Sequence, residues 1–226
     1  MISVVIPTYG HWELTHNLLF DIYNFFPRDV EVIVMDDCSH DLDTYNGLIW
    51  WKARMIETLR VYTNSENLGF LKNANLGISK AGGDFVILIS NDVSIKSRGL
   101  FQQVVDLLEV VPPTLVGIKK YEDSTGWNEF DVQTIFPYLD GCFLAFHKET
   151  WDNFGGFDER YAPYDFEDVD ISTTYLHNGG KLVAVYEGLA THLGAQTNIY
   201  SPEREAHTKR NKVLFGEKWL HTKPLK

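Results

Sequence analysis

The residues of this chain best suited to chemistry are acids, and two stretches concentrate them. "YDFEDVD" places Asp165, Glu167, Asp168 and Asp170 within six residues at the entry to a helix. A helix accepts negative charge in its first turn, because unpaired N–H groups and the macrodipole face it, and that alone accounts for Asp165 or Glu167. "ILISNDVSI", residues 87–95, runs apolar for three residues and then turns abruptly to Ser90, Asn91 and Asp92. Three further polar clusters follow apolar runs in the same way. They are "PTYG" with Pro7, Thr8 and Tyr9, "DDCSHD" with Asp36 and Asp37, and "NSENLGF" with Asn67 and Gly69. Ligands of open α/β sheets bind outside the carboxyl ends of the strands, so four such clusters at one edge mark a binding site. Each cluster alone is an ordinary turn, and an Asp pair alone is an Asx turn. His192, in "ATHLGA", taken alone reads as a satisfied structural histidine.

The elements that must position these residues are legible from period and residue type. "ISVVIP" (2–7), "VEVIVM" (30–35), "LRVYT" (59–63) and "DFVILIS" (84–90) are short β-branched runs without alternation, as expected of parallel strands covered on both faces. Between them, Leu14, Leu18, Leu19, Ile22 and Phe26 recur near one helical face, as do Leu100, Val104, Leu107 and Leu108. Strand and helix alternate to about residue 118, so this half reads as an α/β nucleotide-binding layer. Beyond it, 121–140 reads as an active-site loop, "GCFLAF" as a strand and "HKETWDNFG" as a short helix stopped by Gly155. "EDVDISTTYLHNGG" reads as a helix closed by Gly179, "KLVAVY" as the last strand, and the tail from Ser201 as a helix with Pro202 in its first turn.

The 226 residues suit a single unit over 1–226, with a first half at 1–118, a second at 119–200 and a helical tail at 201–226. A net charge of -11 excludes a nucleic-acid binder, which needs clustered Lys and Arg. An anionic ligand then requires local help from a metal or from backbone amides. Cys38 and Cys142 make no disulfide framework and read as buried fillers in a reducing, cytoplasmic setting. No apolar run approaches the ~20 residues of a spanning helix.

Taken in order, "SVVIPTYG", "VIVMDDCSHD", "NLGFLKNANLG", "FVILISNDVSI", "GGFDERYAPYDFEDVDIS" and "THLGA" cover most of residues 2–195. This ordered set resembles family 2 glycosyltransferases of the GT-A fold, in particular the rhamnosyltransferase-like branch. The resemblance implies a Rossmann-like, mostly parallel central sheet flanked by helices, with a smaller acceptor-side lobe. It also implies an inverting transfer of a sugar from a UDP- or dTDP-linked donor to the hydroxyl of a glycan, lipid-linked or protein acceptor, with Mn2+ or Mg2+. Thr8 and Tyr9, beside Pro7, would line the nucleobase pocket, and Asp36 or Asp37 would accept the ring imino N–H. Asn67 and Gly69 would allow close backbone approach, with Asn75 and Gly77 on the following helix and Lys72 near the diphosphate. This is not a G-x-G-x-x-G pattern, so no nicotinamide cofactor is expected. Where the family carries Asp-x-Asp, this chain reads Ser90, Asn91, Asp92, so Asp92 alone would hold the metal, with His192 as the further protein ligand. Asn91 and Asp140 would sit near the donor sugar, Asp168 would be the general base, Glu167 would orient the acceptor, and Asp170 would bond near the helix start. Trp127, Phe130, Phe136 and Tyr138 are candidate sugar-stacking rings, against ordinary packing. The alternatives are a non-catalytic sugar-nucleotide or glycan-binding module on the same fold and, ranked last, a glycoside hydrolase, which also uses two carboxylates.

Overall fold

The β-branched runs become strands buried on both faces. β1 (Ile2–Thr8) and β2 (Glu31–Asp36) bury nearly every residue. In the computed structural model, which describes residues 1–109, 113–121, 136–194 and 202–219, the chain is a mixed α/β fold. β3 (Leu59–Thr63), β4 (Phe85–Ile89), β6 (Thr114–Gly117), β9 (Phe143–His147) and β10 (Lys181–Ala184) complete a seven-stranded sheet with β1 and β2. Its order is β10-β6-β9-β4-β1-β2-β3, and only β9 runs antiparallel to its neighbours.

Because side chains alternate across a strand, each strand feeds two cores. Val4, Ile6, Val32, Val34, Ile87 and Ile89 pack under α1 (Trp12–Phe25), α2 (Leu42–Arg54) and α4 (Gly99–Glu109). Val5, Ile33, Met35, Val86 and Leu88 pack under α3 (Phe70–Ser79), α6 (Glu167–His177) and α7 (Pro202–Trp219). α3 lies so close to the sheet that a Cβ at Gly77 would fall 2.6 Å from Val5 Cγ1 and 2.7 Å from Met35 Cγ. The short α5 (Lys148–Phe154) ends at Gly155 in the left-handed region, as its sequence indicates.

Register brings the polar clusters together. Thr8 pairs with Asp36 and Asp36 with Thr63, so β1, β2 and β3 deliver their carboxyl ends to one edge, beside the end of β4. β9 reaches the same edge with its amino end, where Ile89 pairs with Phe143.

Four elements depart from the sequence reading. α2 and β6 were not anticipated. "KLVAVY" is not the last strand: β11 (Ala190–His192) follows it and pairs antiparallel with β5 (Val93–Ile95), a second short strand without a sequence signal. Strands of three residues show no period, and their pairing is fixed by a partner about a hundred residues away. The remaining ribbon is β7 (Lys120–Tyr121) with β8 (Tyr138–Leu139). Of the candidate stacking rings, Phe136 is buried edge-on against Phe215 and Tyr138 stacks on Tyr121, so both belong to packing. Trp127 and Phe130 lie outside the described residues.

Candidate active site

A cleft of about 510 Å³ opens at the sheet edge where the strand ends meet. Pro7, Thr8, Tyr9, Asp37, Asn67 and Gly69 line one side of it. Tyr9 is 48% exposed, with a ring face available to a flat partner. Thr8 is buried, its hydroxyl 2.6 Å from that of Thr15, and Asn91 donates to both at 3.1 Å. Asn91 therefore ties β1 to the end of β4 beneath the cleft.

The two adjacent aspartates have separate tasks. Asp36 is buried, accepts the Ser39 N–H at 3.3 Å, and does not line the cleft. Asp37 does line it. Its Oδ1 accepts from Asn64 Nδ2 and Leu68 N–H, and its Oδ2 from Gly69 N–H, all at 2.8 Å. One lone pair on Oδ2 is left for a ligand. Gly69 sits at φ +80°, and a Cβ there would fall 2.9 Å from Pro163 Cβ, so the position needs glycine on both counts. Asp37→Ala strips the acceptor from the Leu68 amide and leaves Gly69 N–H with Asn67 Oδ1 at 3.0 Å. It is expected to cost about 1–3 kcal/mol of stability, read by thermal unfolding. An unchanged melting temperature would mean that the 64–69 turn holds without the carboxylate. Lys72 points elsewhere: it is exposed on α3 and is not part of the cleft lining.

At the cleft's centre His192 stands between two carboxylates. Its Nε2 lies 3.2 Å from Asp92 Oδ2 and its Nδ1 3.6 Å from Asp140 Oδ2. The placement follows from strand pairing, since His192 pairs with Val93 and Leu193 N–H donates to the Asp92 carbonyl at 2.9 Å. Asp140, Asp92 and the Cys142 thiol together raise the imidazole to about 12. Burial pushes Asp140 up, but His192 and the Cys142 N–H outweigh it and leave the carboxyl below its usual range. Asp140, Cys142 and His192 offer donor atoms within 4.8 Å of one another. Cys142 is thus more than a filler, a role that its spacing in the sequence did not signal. Burial raises its thiol to about 12, so it stands protonated beside the imidazole, and the charged donors are the carboxylates. The two carboxylates face opposite ring nitrogens, so one ion can share His192 with Asp92 or with Asp140, and either oxygen and nitrogen pair suits Mn2+ and tolerates Mg2+.

Across the cleft, the first turn of α6 presents the acid pair. Glu167 is buried, and among the described residues its Oε2 has no hydrogen-bond partner. Burial, and then the neighbouring Asp168, raise its carboxyl well above the usual range. Asp168 accepts from Val169 N–H at 2.8 Å and from Gly141 N–H at 3.2 Å. Burial first, and then the Asp140 charge, raise it to about 7.

Three consecutive residues join the two walls. Asp140 faces His192, Gly141 N–H holds Asp168, and Cys142 N–H binds Asp140 Oδ1 at 3.0 Å while its carbonyl accepts from Ser90 N–H at 2.8 Å. The other two acids of "YDFEDVD" are tied to the tail helix, Asp165 still lining the cleft and Asp170 outside it. Asp165 pairs with Arg204 at 2.8 Å, and Asp170 binds Tyr161, Lys218 and Trp219. Pro163 and Tyr164, from the "FDERYAPY" segment that precedes the acids, also line the cleft, as does Arg204, which no sequence signal singled out.

The model of glycosyl transferase family 2 matches residues 3–170, three quarters of the chain and both walls except His192 and the tail. The chain belongs to glycosyl transferase family 2. No curated protein matches it in sequence. Among solved structures, the mannosyltransferase PcManGT from Pyrobaculum calidifontis, in complex with GDP-Man and Mn2+, superposes with a TM-score of 0.73 at 19% identity. That match covers 100% of this chain and 65% of the other. GalNAc-T7 with UDP, GalNAc and Mn2+ gives 0.73 at 17% identity, over 97% of this chain and 49% of that one. S. aureus TarS 1–349 in complex with UDP-GlcNAc gives 0.59 at 20%, over 94% and 65%. At these identities the likeness is one of fold, and this family 2 chain spans less than two thirds of the length of each. No helix among the described residues is long and apolar enough to cross a membrane.

Proposed function

We propose that this family 2 protein is an inverting, metal-dependent glycosyltransferase of the rhamnosyltransferase-like branch. It moves a sugar from a UDP- or dTDP-linked donor to the hydroxyl of a glycan, lipid-linked or protein acceptor. The reading rests on the bridge from Asp140 to Cys142, which ties a candidate cation wall to a candidate base within one cleft. Residues 1–118 form the donor half and 119–200 the acceptor half. Tyr9 stacks on the base and the remaining Asp37 lone pair takes its imino N–H. Asn67 and Gly69 let the backbone approach the donor. Asp168 accepts the proton of the acceptor hydroxyl as that oxygen bonds to the anomeric carbon and the bond from that carbon to the diphosphate breaks. Approach from the face opposite the leaving group inverts the centre. Glu167 orients the acceptor. Mn2+ or Mg2+ held by Asp92 and His192, with Asp140 adjoining, would supply positive charge to offset that developing on the diphosphate.

The test is a mass-spectrometric screen of nucleotide-sugars with and without Mn2+. Metal-dependent hydrolysis or transfer of at least one donor is expected. Binding without turnover under any acceptor would move the protein to the non-catalytic module, and neither binding nor turnover of any donor would sink the proposal.

A further inference from the structure

The acid pair enters the cleft from an unusual piece of backbone. Asp165 and Phe166, immediately before Glu167, lie at φ +72° and +76°. Left-handed geometry is unfavourable for an L-residue, whose Cβ crowds the following carbonyl, and a bulky Phe there is an outlier. Two such residues in succession persist only where their surroundings fix them. The fixing contacts come from α7, which begins 32 residues after the last position matched by the family model.

Asn211 is the centre of these contacts. It is 0% exposed, and its Nδ2 donates to the carbonyls of Tyr161, Tyr164 and Asp165 at 2.7, 2.8 and 2.8 Å. Its Oδ1 accepts from Arg210, whose guanidinium also reaches the Ala162 carbonyl at 2.6 Å. Arg204 and Thr208 hold the Asp165 carboxylate at 2.8 and 2.6 Å, and the Phe215 ring packs on Phe166 at 5.7 Å. One helical turn further on, Lys218 and Trp219 anchor Asp170 at 2.8 and 2.7 Å. The four acids of "YDFEDVD" therefore differ: Asp165 and Asp170 are held by α7, Asp165 at the cleft's rim, while Glu167 and Asp168 line the cleft with no hydrogen bond to α7 among the described residues.

We infer that α7 is the positioning element of the acid pair, and that the Asn211 amide, with Arg204 and Thr208, holds residues 165 and 166 left-handed so that Glu167 and Asp168 point at the acceptor. The inference rests on the proposed transferase reading. Asn211 touches no substrate; it acts through the backbone of residues 161–165. Removing it lets this segment relax toward ordinary geometry and swings the acids away from Gly141. Misplacement of about 1 Å can cost roughly a hundredfold in turnover, while the nucleotide side of the cleft, built on the ends of β1 and β2, meets the segment only where Pro163 packs on Gly69 and its carbonyl accepts from Leu71 N–H.

The experiment compares full-length Asn211→Ala, isosteric Asn211→Asp and milder Thr208→Val with Val104→Ala, a core variant on α4 remote from the cleft. Turnover of a donor identified in the nucleotide-sugar screen and backbone hydrogen exchange are both measured. Asn211→Ala and Asn211→Asp are expected to lower kcat about 10- to 100-fold with donor KM nearly unchanged. Thr208→Val, which should fold whatever the fate of the other two, is expected to lower it about 3- to 10-fold. In all three the amides of residues 165–169 exchange faster, while Val104→Ala at an equal loss of melting temperature keeps its kcat. Wild-type kcat in Thr208→Val and in any folded Asn211 variant, or a loss no greater than in Val104→Ala, overturns the inference and leaves the transferase reading standing. If wild type turns over no donor, the transferase reading fails. Exchange then decides the clamp alone: faster exchange at 165–169 retains it, and unchanged exchange removes it.

Discussion

Asp168→Asn is expected to lower kcat by about 10² to 10⁴-fold, the usual worth of a general base, with donor affinity retained. The amide has almost the shape of the carboxylate and still accepts one of the two N–H groups that hold it, from Val169 or Gly141. It cannot take a proton from an acceptor hydroxyl. The same substitution carries a stability signature that needs no substrate. The Asp168 carboxyl is raised from 3.8 to about 7 by burial and then by Asp140, so between these values the folded state holds a proton that the unfolded state has lost. Stability from this group is complete below pH 4, falls as pH rises toward 7, and is gone above it. The difference between variant and wild type should therefore move in the variant's favour from pH 4 to pH 8, by on the order of a few kcal/mol. Denaturant unfolding at the two pH values checks the sign. Turnover in the wild type should run the other way, rising through pH 7 as the base ionises. A variant that keeps wild-type kcat removes Asp168 from the mechanism.

Asp92→Ala should abolish tight Mn2+ binding. Even an outer-shell partner is worth about 10- to 100-fold in metal affinity, and a direct ligand more. Asp92 is buried at 6% exposure and is the sole carboxylate of "SNDVS". With it gone, His192 keeps Asp140 at 3.6 Å but loses the carboxylate 3.2 Å from Nε2. Calorimetric titration with Mn2+, on the whole chain and without nucleotide, reads the loss directly. Affinity equal to wild type would shift the reading to a metal-independent transferase and place the cation duty, if any, on Asp140 and Cys142.

Much of the donor side was legible in the sequence. "SVVIP" and "VEVIVM" have no alternation because both faces are covered, and a polar cluster after such a run lies at the carboxyl edge of the sheet. Pro7, Thr8, Tyr9, Asp37, Asn67 and Gly69 were placed on that logic together with the family resemblance, and all six line the cleft. Asp36 and Lys72 failed to reach it because one residue of strand rotation turns Asp36 away, and the exposed face of α3 carries Lys72 outward. Phe136 and Tyr138 looked like sugar platforms for their composition; neighbouring rings, not visible from spacing, claim them for packing.

What the sequence determined by itself is whatever depends on near neighbours: strand runs, helix faces, turn residues, the acid cluster at a helix start, and through their order the family. What only the tertiary structure decided is whatever depends on distant partners. The pairing of β11 with β5 seats His192 on Asp92 across 100 residues. The antiparallel entry of β9 brings the residues before a strand, Asp140 to Cys142, to an edge otherwise made by residues after strands. The amide of Asn211 holds an acid cluster some 45 residues upstream of it. Periodicity records only which side of an element is buried, whereas a site is built from contacts whose two halves carry no mark of each other until the chain has folded.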